Sequence, residues 1–138
     1  MYGAALSSSR GRMLSKLHDK IVKNLCLKYS PNECPYKTNK ILKIGDVYKL
    51  LAGIHMYKVI NGENESLAET IVIETPAHTY QTRGHNRLLT PFPRVEAIRR
   101  NYQYQFISIW NEIPNDIQNS RNFKCFKKRL SNKFLNEY

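Results

Sequence analysis

The sequence is poor in acid. Eleven Asp and Glu stand against 22 Lys and Arg in 138 residues, a formal charge of +11. Only Asp19, Asp46 and Asp116 are aspartates, and no Asp-Asp or Asp-x-Asp pair occurs. A two-metal nuclease or polymerase centre needs carboxylates converging on cations about 4 Å apart, so that chemistry is not expected. Cysteine is scarce too: Cys26, Cys34 and Cys125, an odd number at scattered spacings, give no disulfide framework and fit a reducing compartment. His18, His55, His78 and His85 never stand four residues apart, which removes an HExxH zinc site. A mixed site of Cys26, Cys34 and His18 is conceivable, but its spacing lacks the CxxC favoured by structural zinc, and the thiols read more simply as bystanders. Phosphate-cradling glycine loops and the G-x-S-x-G elbow are absent. No apolar run approaches the ~18 residues of a membrane span, and the N-terminus has no secretory apolar core. These absences set the expectation: no catalytic residue, no metal, no cofactor, no membrane partner, and an intracellular home in nucleus or cytoplasm.

What remains is basic and aromatic. Nine Tyr, five Phe and one Trp in a chain that is 41% hydrophobic allow a core, so one folded domain is expected. The charge is uneven. Residues 1–60 balance to +8 and residues 77–138 to +7, around an acidic joint, 61–76, of −4 that holds Glu63, Glu65, Glu69 and Glu74 without a base. A domain this basic attracts polyanions, nucleic acid first, through long-range fields and counterion release. The plainer alternative is that the charge only keeps an aromatic chain soluble.

Periodicity predicts a mostly α fold of about four to five helices with an irregular, short-stranded Arg-rich middle. Residues 1–9 are expected to be flexible, 10–74 helical, and 75–138 a C-terminal motif region. Met13, Leu14, Leu17, Ile21 and Leu25 recur at three- and four-residue steps, the mark of an amphipathic helix. At about 100° per residue, Arg12, Lys16, Lys20 and Lys23 gather on another side of it. A second helix is expected from an Asp46 N-cap to Asn61-Gly62, with Val47, Leu50, Leu51, Ile54 and Tyr57 on one face and something packed closely on Gly53. Ser66–Glu69 matches a capping box. Pro76, Pro91 and Pro93 break the middle segment, where Arg83, Arg87, Arg94, Arg99 and Arg100 alternate with Tyr80, Phe92, Tyr102 and Tyr104. Arginine forks suit phosphates, and exposed aromatic faces suit unstacked bases. Helix returns near Tyr104–Asn111, Pro114 opens a turn as an N1 proline, and a last helix from Asn122 carries Phe123, Phe126, Leu130 and Phe134 among Lys124, Lys127, Lys128, Arg129 and Lys133. The candidate nucleic-acid contacts are therefore Arg12, Lys16, Lys20, Lys23, Arg83, Arg87, Arg94, Arg99, Arg100, Lys124 and Lys128.

The stretch from Thr82 to Leu135 resembles the C-terminal tail of reverse transcriptase polyproteins from non-LTR (LINE-type) retrotransposons, jockey-like in particular. The residues that carry the likeness are Thr82-Arg83, Leu88 through Pro91, Pro93-Arg94, Phe106, Trp110-Asn111-Glu112-Ile113-Pro114 with Ile117, and Phe126-Lys127 with Leu130. Upstream, ILKIGDVYKLLAGIHMYKVING with Met56-Tyr57-Lys58, the helix Leu14–Leu25 and Tyr2-Gly3 are similar as well. A family member's catalytic palm with its Tyr-x-Asp-Asp loop, its endonuclease and its zinc knuckle are not in this sequence. The resemblance thus implies a noncatalytic C-terminal piece that holds RNA or DNA beside a polymerase, from a truncated element or a host-retained remnant. It also implies structural roles for Trp110, Asn111, Pro114 and Phe126. The other reading is a structural or protein-interaction domain that docks on a reverse transcriptase core, or self-associates, through Trp110, Ile113, Phe123 and Phe126.

Overall fold

The computed structural model describes residues 9–26 (side chains of 11–25), 34–63, 88 and 101–138. Among them the chain is helical, with six helices and no strand: α1 Ser9–Cys26, α2 Pro35–Thr38, α3 Ile44–Ile60, α4 Tyr102–Glu112, α5 Asn115–Gln118 and α6 Phe123–Asn136. None of these helices is long and apolar enough to cross a membrane. Of the expected flexible residues 1–9, Ser9 begins α1 and residues 1–8 lie outside the described residues, as do the 66–69 capping box and all but Leu88 of the irregular middle.

α3, α4 and α6 close around one core. Met56, Tyr57 and Val59 of α3 meet Ile107 and Trp110 of α4, Ile113, Ile117 of α5, and Phe126, Leu130 and Phe134 of α6. Phe126 sits at the centre, fully buried, stacked on Tyr57 at 4.5 Å between ring centroids and 5.9 Å from Trp110. Such aromatic pairs add about 0.5–1.5 kcal/mol beyond the area they bury. Close approach at Gly53 makes this packing possible. A Cβ there would lie 2.8 Å from Leu130 Cδ2 and 3.0 Å from Ile113 Cδ1, which is the physical reason for a glycine inside a helix.

Local chemistry sets the helix ends. The Asn122 side chain accepts from the Cys125 N–H at 2.8 Å and starts α6, while Asn101 accepts from the Gln103 N–H at 3.1 Å and starts α4. Gly62, at φ +67°, follows the Asn61 C-cap of α3 as expected. Three expectations need correction. The N-cap of α3 is Lys43 rather than Asp46, which lies in the helix's first turn. The Lys43 N–H is satisfied by the Tyr138 hydroxyl at 2.8 Å, and that hydroxyl donates to Asp46 Oδ2 at 2.5 Å. A capping group thus arrives from the far end of the chain. Second, α3 buries Ala52, Gly53, Met56, Tyr57 and Val59, whereas Val47 and Leu51 face outward. Being packed by α4 on one side and α6 on another, α3 is not a one-faced helix. Third, Pro114 occupies the N-cap of α5, with extended ψ 142°, rather than N1.

α1 lies outside the main core. It is tied through a small second cluster in which Val22 and the Tyr36 ring pack with Ile41 and Tyr138. The Tyr36 hydroxyl donates to Asp19, and the His18 ring stacks on Tyr36 at 5.9 Å. Lys43 Nζ sits 4.6 Å over the Tyr138 ring and 5.6 Å over Tyr36. Burial, then the Asp19 contact, pushes the Tyr36 phenol above its ordinary value, and burial with Asp46 does the same to Tyr138.

Candidate nucleic-acid interface

α1 presents three arcs. Gly11 and Val22 are buried, and Ser15, His18 and Asp19 half-buried, on the side turned to the domain. Arg12, Lys16, Lys20 and Lys23 are exposed on the second. Asp19 is the single carboxylate of α1, and its hydrogen bond with Tyr36 turns it towards the body and away from the basic ridge. Like charges at i,i+4 cost a few tenths of a kcal/mol per pair in an isolated helix, so four cations in about three turns form a surface that an anion stabilises.

A second basic surface stands on α6. Phe126, Leu130 and Phe134 fix its inner face, which leaves Lys124 and Lys128, one turn apart, exposed on the outside together with Lys127 and Arg129. Arg129 also donates to the Asp116 carbonyl at 3.1 Å, tying α6 to α5. Between described residues the one ion pair is Lys133–Glu137 at 3.4 Å, near the C-terminal end of α6 and away from Lys124 and Lys128. α1 packs on α2 and α3, and α6 packs on α2, α3 and α5, so the two ridges belong to different helices of one body. Arg83, Arg87, Arg94, Arg99 and Arg100, expected as further contacts, lie outside the described residues.

Of the four motif residues, Trp110, Asn111 and Phe126 are built into the packing, and Pro114 stands exposed at the N-cap of α5. Trp110 and Phe126 are buried. The Asn111 side chain accepts from the Leu88 N–H and donates to the Leu88 carbonyl, both at 2.9 Å, and so clamps one residue of the intervening chain to α4 in the manner of a β-bridge. Gln118 Nε2 donates to the carbonyls of Trp110 at 2.7 Å and Ile113 at 3.0 Å, closing the C-terminal end of α4 over Pro114. The Tyr57 hydroxyl donates to the Ser120 carbonyl at 3.0 Å, which holds the α5–α6 joint against α3. Sequence reading missed Gln118 and Tyr138 because a cap supplied from another element leaves no local pattern. In the alternative docking reading the face is Trp110, Ile113, Phe123 and Phe126; Trp110, Ile113 and Phe126 are each at most 4% exposed, and Phe123 is half-buried against the same core.

Among the described residues no group of three or more His, Cys, Asp or Glu side chains converges as a metal site. An open groove of about 510 Å³ between α5 and α6 is lined by Asp116, Ile117, Arg129, Asn132, Lys133, Asn136 and Glu137, a mixed-charge surface with no nucleophile–base pair. The exposed Cys34 thiol is held below its ordinary value, chiefly by the backbone N–H of Lys37. No family model, curated protein or solved structure matches the chain.

Proposed function

We propose that the chain is a noncatalytic nucleic-acid-binding module, akin in its Trp110–Pro114 and Phe126–Leu130 motifs to the C-terminal region of LINE-type reverse transcriptases. The observation that carries the reading is the pair of exposed ridges, Arg12/Lys16/Lys20/Lys23 on α1 and Lys124/Lys128 on α6, with the carboxylate of α1 turned away towards Tyr36. Six cations on rigid helices match backbone phosphates, which position a protein without reading sequence. The +11 charge adds long-range attraction.

Fluorescence anisotropy with a labelled single-stranded RNA and a labelled DNA duplex tests it. With about six phosphates engaged, affinity falls on the order of 10³-fold between about 50 and 200 mM salt. Lys124→Glu with Lys128→Glu weakens binding at least about tenfold without changing the circular dichroism spectrum. Binding weaker than micromolar at the lower salt overturns the reading. The second reading, a docking domain, draws support from a single feature, the apolar side of α1.

A further inference from the structure

The third arc of α1 is apolar and open to water. Met13 is 67% exposed, Leu14 51%, Leu17 55%, Ile21 49% and Leu25 62%. Their register puts them on one side of the helix over ~18 Å, directly beside the basic ridge. An amphipathic helix ordinarily turns such a stripe into the core. Here the domain instead binds the arc of Gly11, Ser15, His18, Asp19 and Val22, of which only Val22 is aliphatic, and the stripe is left over.

We propose that α1 lies on anionic lipid surfaces, with Met13, Leu14, Leu17, Ile21 and Leu25 in the acyl boundary and Arg12, Lys16, Lys20 and Lys23 on headgroup phosphates. The inference goes beyond the nucleic-acid reading and does not depend on it. Three other occupants compete with a lipid surface for this face. A nucleic acid neutralises the ridge but leaves five aliphatic side chains in water. A second copy covers those side chains but brings two four-cation ridges together on chains of +11 each. One helix face of this length also falls short of the roughly 800 Å² per partner of a standard interface. A protein groove favours aromatic and arginine anchors, and leucine is under-represented among interface hot spots; the exposed apolar side chains of the arc are Met, Leu and Ile. A lipid interface accepts both arcs at once and asks for no shape complementarity. An amphipathic helix that is polar on balance, with Lys and Arg concentrated on its polar side, is the form that binds there. The expectation of no membrane partner rested on the lack of a spanning segment, and lying in the interface plane needs none. Asn24 is the one exposed polar residue among the side chains of this arc, in the last turn of α1.

Flotation of the full chain with phosphatidylcholine vesicles, and with vesicles in which one third of the lipid is phosphatidylserine, tests the proposal. The chain floats with the anionic vesicles and at least about tenfold less with the neutral ones. Leu17→Gln with Ile21→Gln lowers anionic-vesicle binding at least about tenfold and leaves RNA affinity unchanged. Lys124→Glu with Lys128→Glu does the reverse. Absence of binding to the anionic vesicles overturns the proposal. So does binding that Leu17→Gln with Ile21→Gln leaves intact, since charge alone then carries it. A dimer in sedimentation equilibrium that the same double substitution dissolves also overturns it, in favour of a second copy.

Discussion

Asn111 is a single side chain that holds two parts of the chain together. Its amide makes both an acceptor and a donor bond with the backbone of Leu88, 23 residues away, and Leu88 is itself buried in the main core. Removing one partner of a buried hydrogen bond costs about 1–3 kcal/mol for the group left unsatisfied. Asn111→Ala is therefore expected to lower the urea midpoint by that energy without changing the slope. Asn111→Asp should rescue little, because a carboxylate still accepts from the Leu88 N–H but faces its carbonyl with no donor. A midpoint equal to wild type for either variant contradicts the clamp. Gly53 poses the opposite problem, since alanine gains about 1 kcal/mol of helix propensity and meets Leu130 Cδ2 at 2.8 Å. Leu130 is fully buried and has no room to yield, so overpacking at about 1–3 kcal/mol should win. Gly53→Ala is then destabilising in the wild type and neutral or stabilising in a Leu130→Ala background. Additive effects in that double-mutant cycle would sink the explanation. The glycine's need for close contact was legible from sequence, as a helix breaker where the pattern continued. Its neighbours were not, because Leu130 lies 77 residues downstream.

At the scale of elements, periodicity located helices well and their inward faces poorly. α6 was largely legible: Asn122 caps it, and Phe126, Leu130 and Phe134 are core, whereas the expected Phe123 is half-buried and the buried Leu135 lay off the expected stripe. α1 was legible as a helix, yet its apolar stripe is exposed. Periodicity reports that a helix has faces, whereas which face docks depends on partners such as Tyr36, whose hydroxyl selects Asp19. The α3–α4 contact adds a titratable group that no motif announced. His55 meets the Phe106 ring edge-on at 5.1 Å, its Nε2 is buried without a hydrogen-bond partner, and burial followed by the nearby Lys58 charge lowers its affinity for a proton. Below about pH 6.5 the unfolded chain takes up a proton that the folded chain refuses. Stability is therefore full above that pH, falls as pH drops through it, and levels off once the folded imidazole also titrates. Urea midpoints measured between about pH 7.5 and 5 should decline, and His55→Phe should flatten that part of the curve. An identical slope in the variant assigns the decline to other groups. At high pH the raised phenols of Tyr36 and Tyr138 act with the opposite sign, since their contribution is present below about pH 10 and fades above it.

At the scale of the molecule, the described residues place basic surfaces on two separate helices around the core of α3, α4 and α6, and among those residues only the α1 surface is flanked by exposed aliphatic side chains. That asymmetry separates the two polyanion partners by their response to salt. Nucleic-acid affinity that rests on counterion release falls with log salt at a slope near −0.9 per phosphate on duplex DNA, with no floor from apolar contact. Removing Lys124 and Lys128 together, as alanine, should make that slope shallower by roughly two units. Lipid affinity has two parts. Salt screens the attraction of Arg12, Lys16, Lys20 and Lys23 to headgroups, but burial of Leu14, Leu17 and Ile21 in the acyl boundary does not depend on ionic strength to first order. Raising salt from about 50 to 500 mM, a span over which the Debye length shortens severalfold, should therefore abolish RNA and DNA binding while a residual vesicle-bound fraction persists. In the Leu17→Gln, Ile21→Gln variant that residue should vanish and the two salt curves should run parallel. Parallel curves in the wild type would mean that the apolar arc of α1 contributes nothing to either complex, and that charge alone decides what this surface binds.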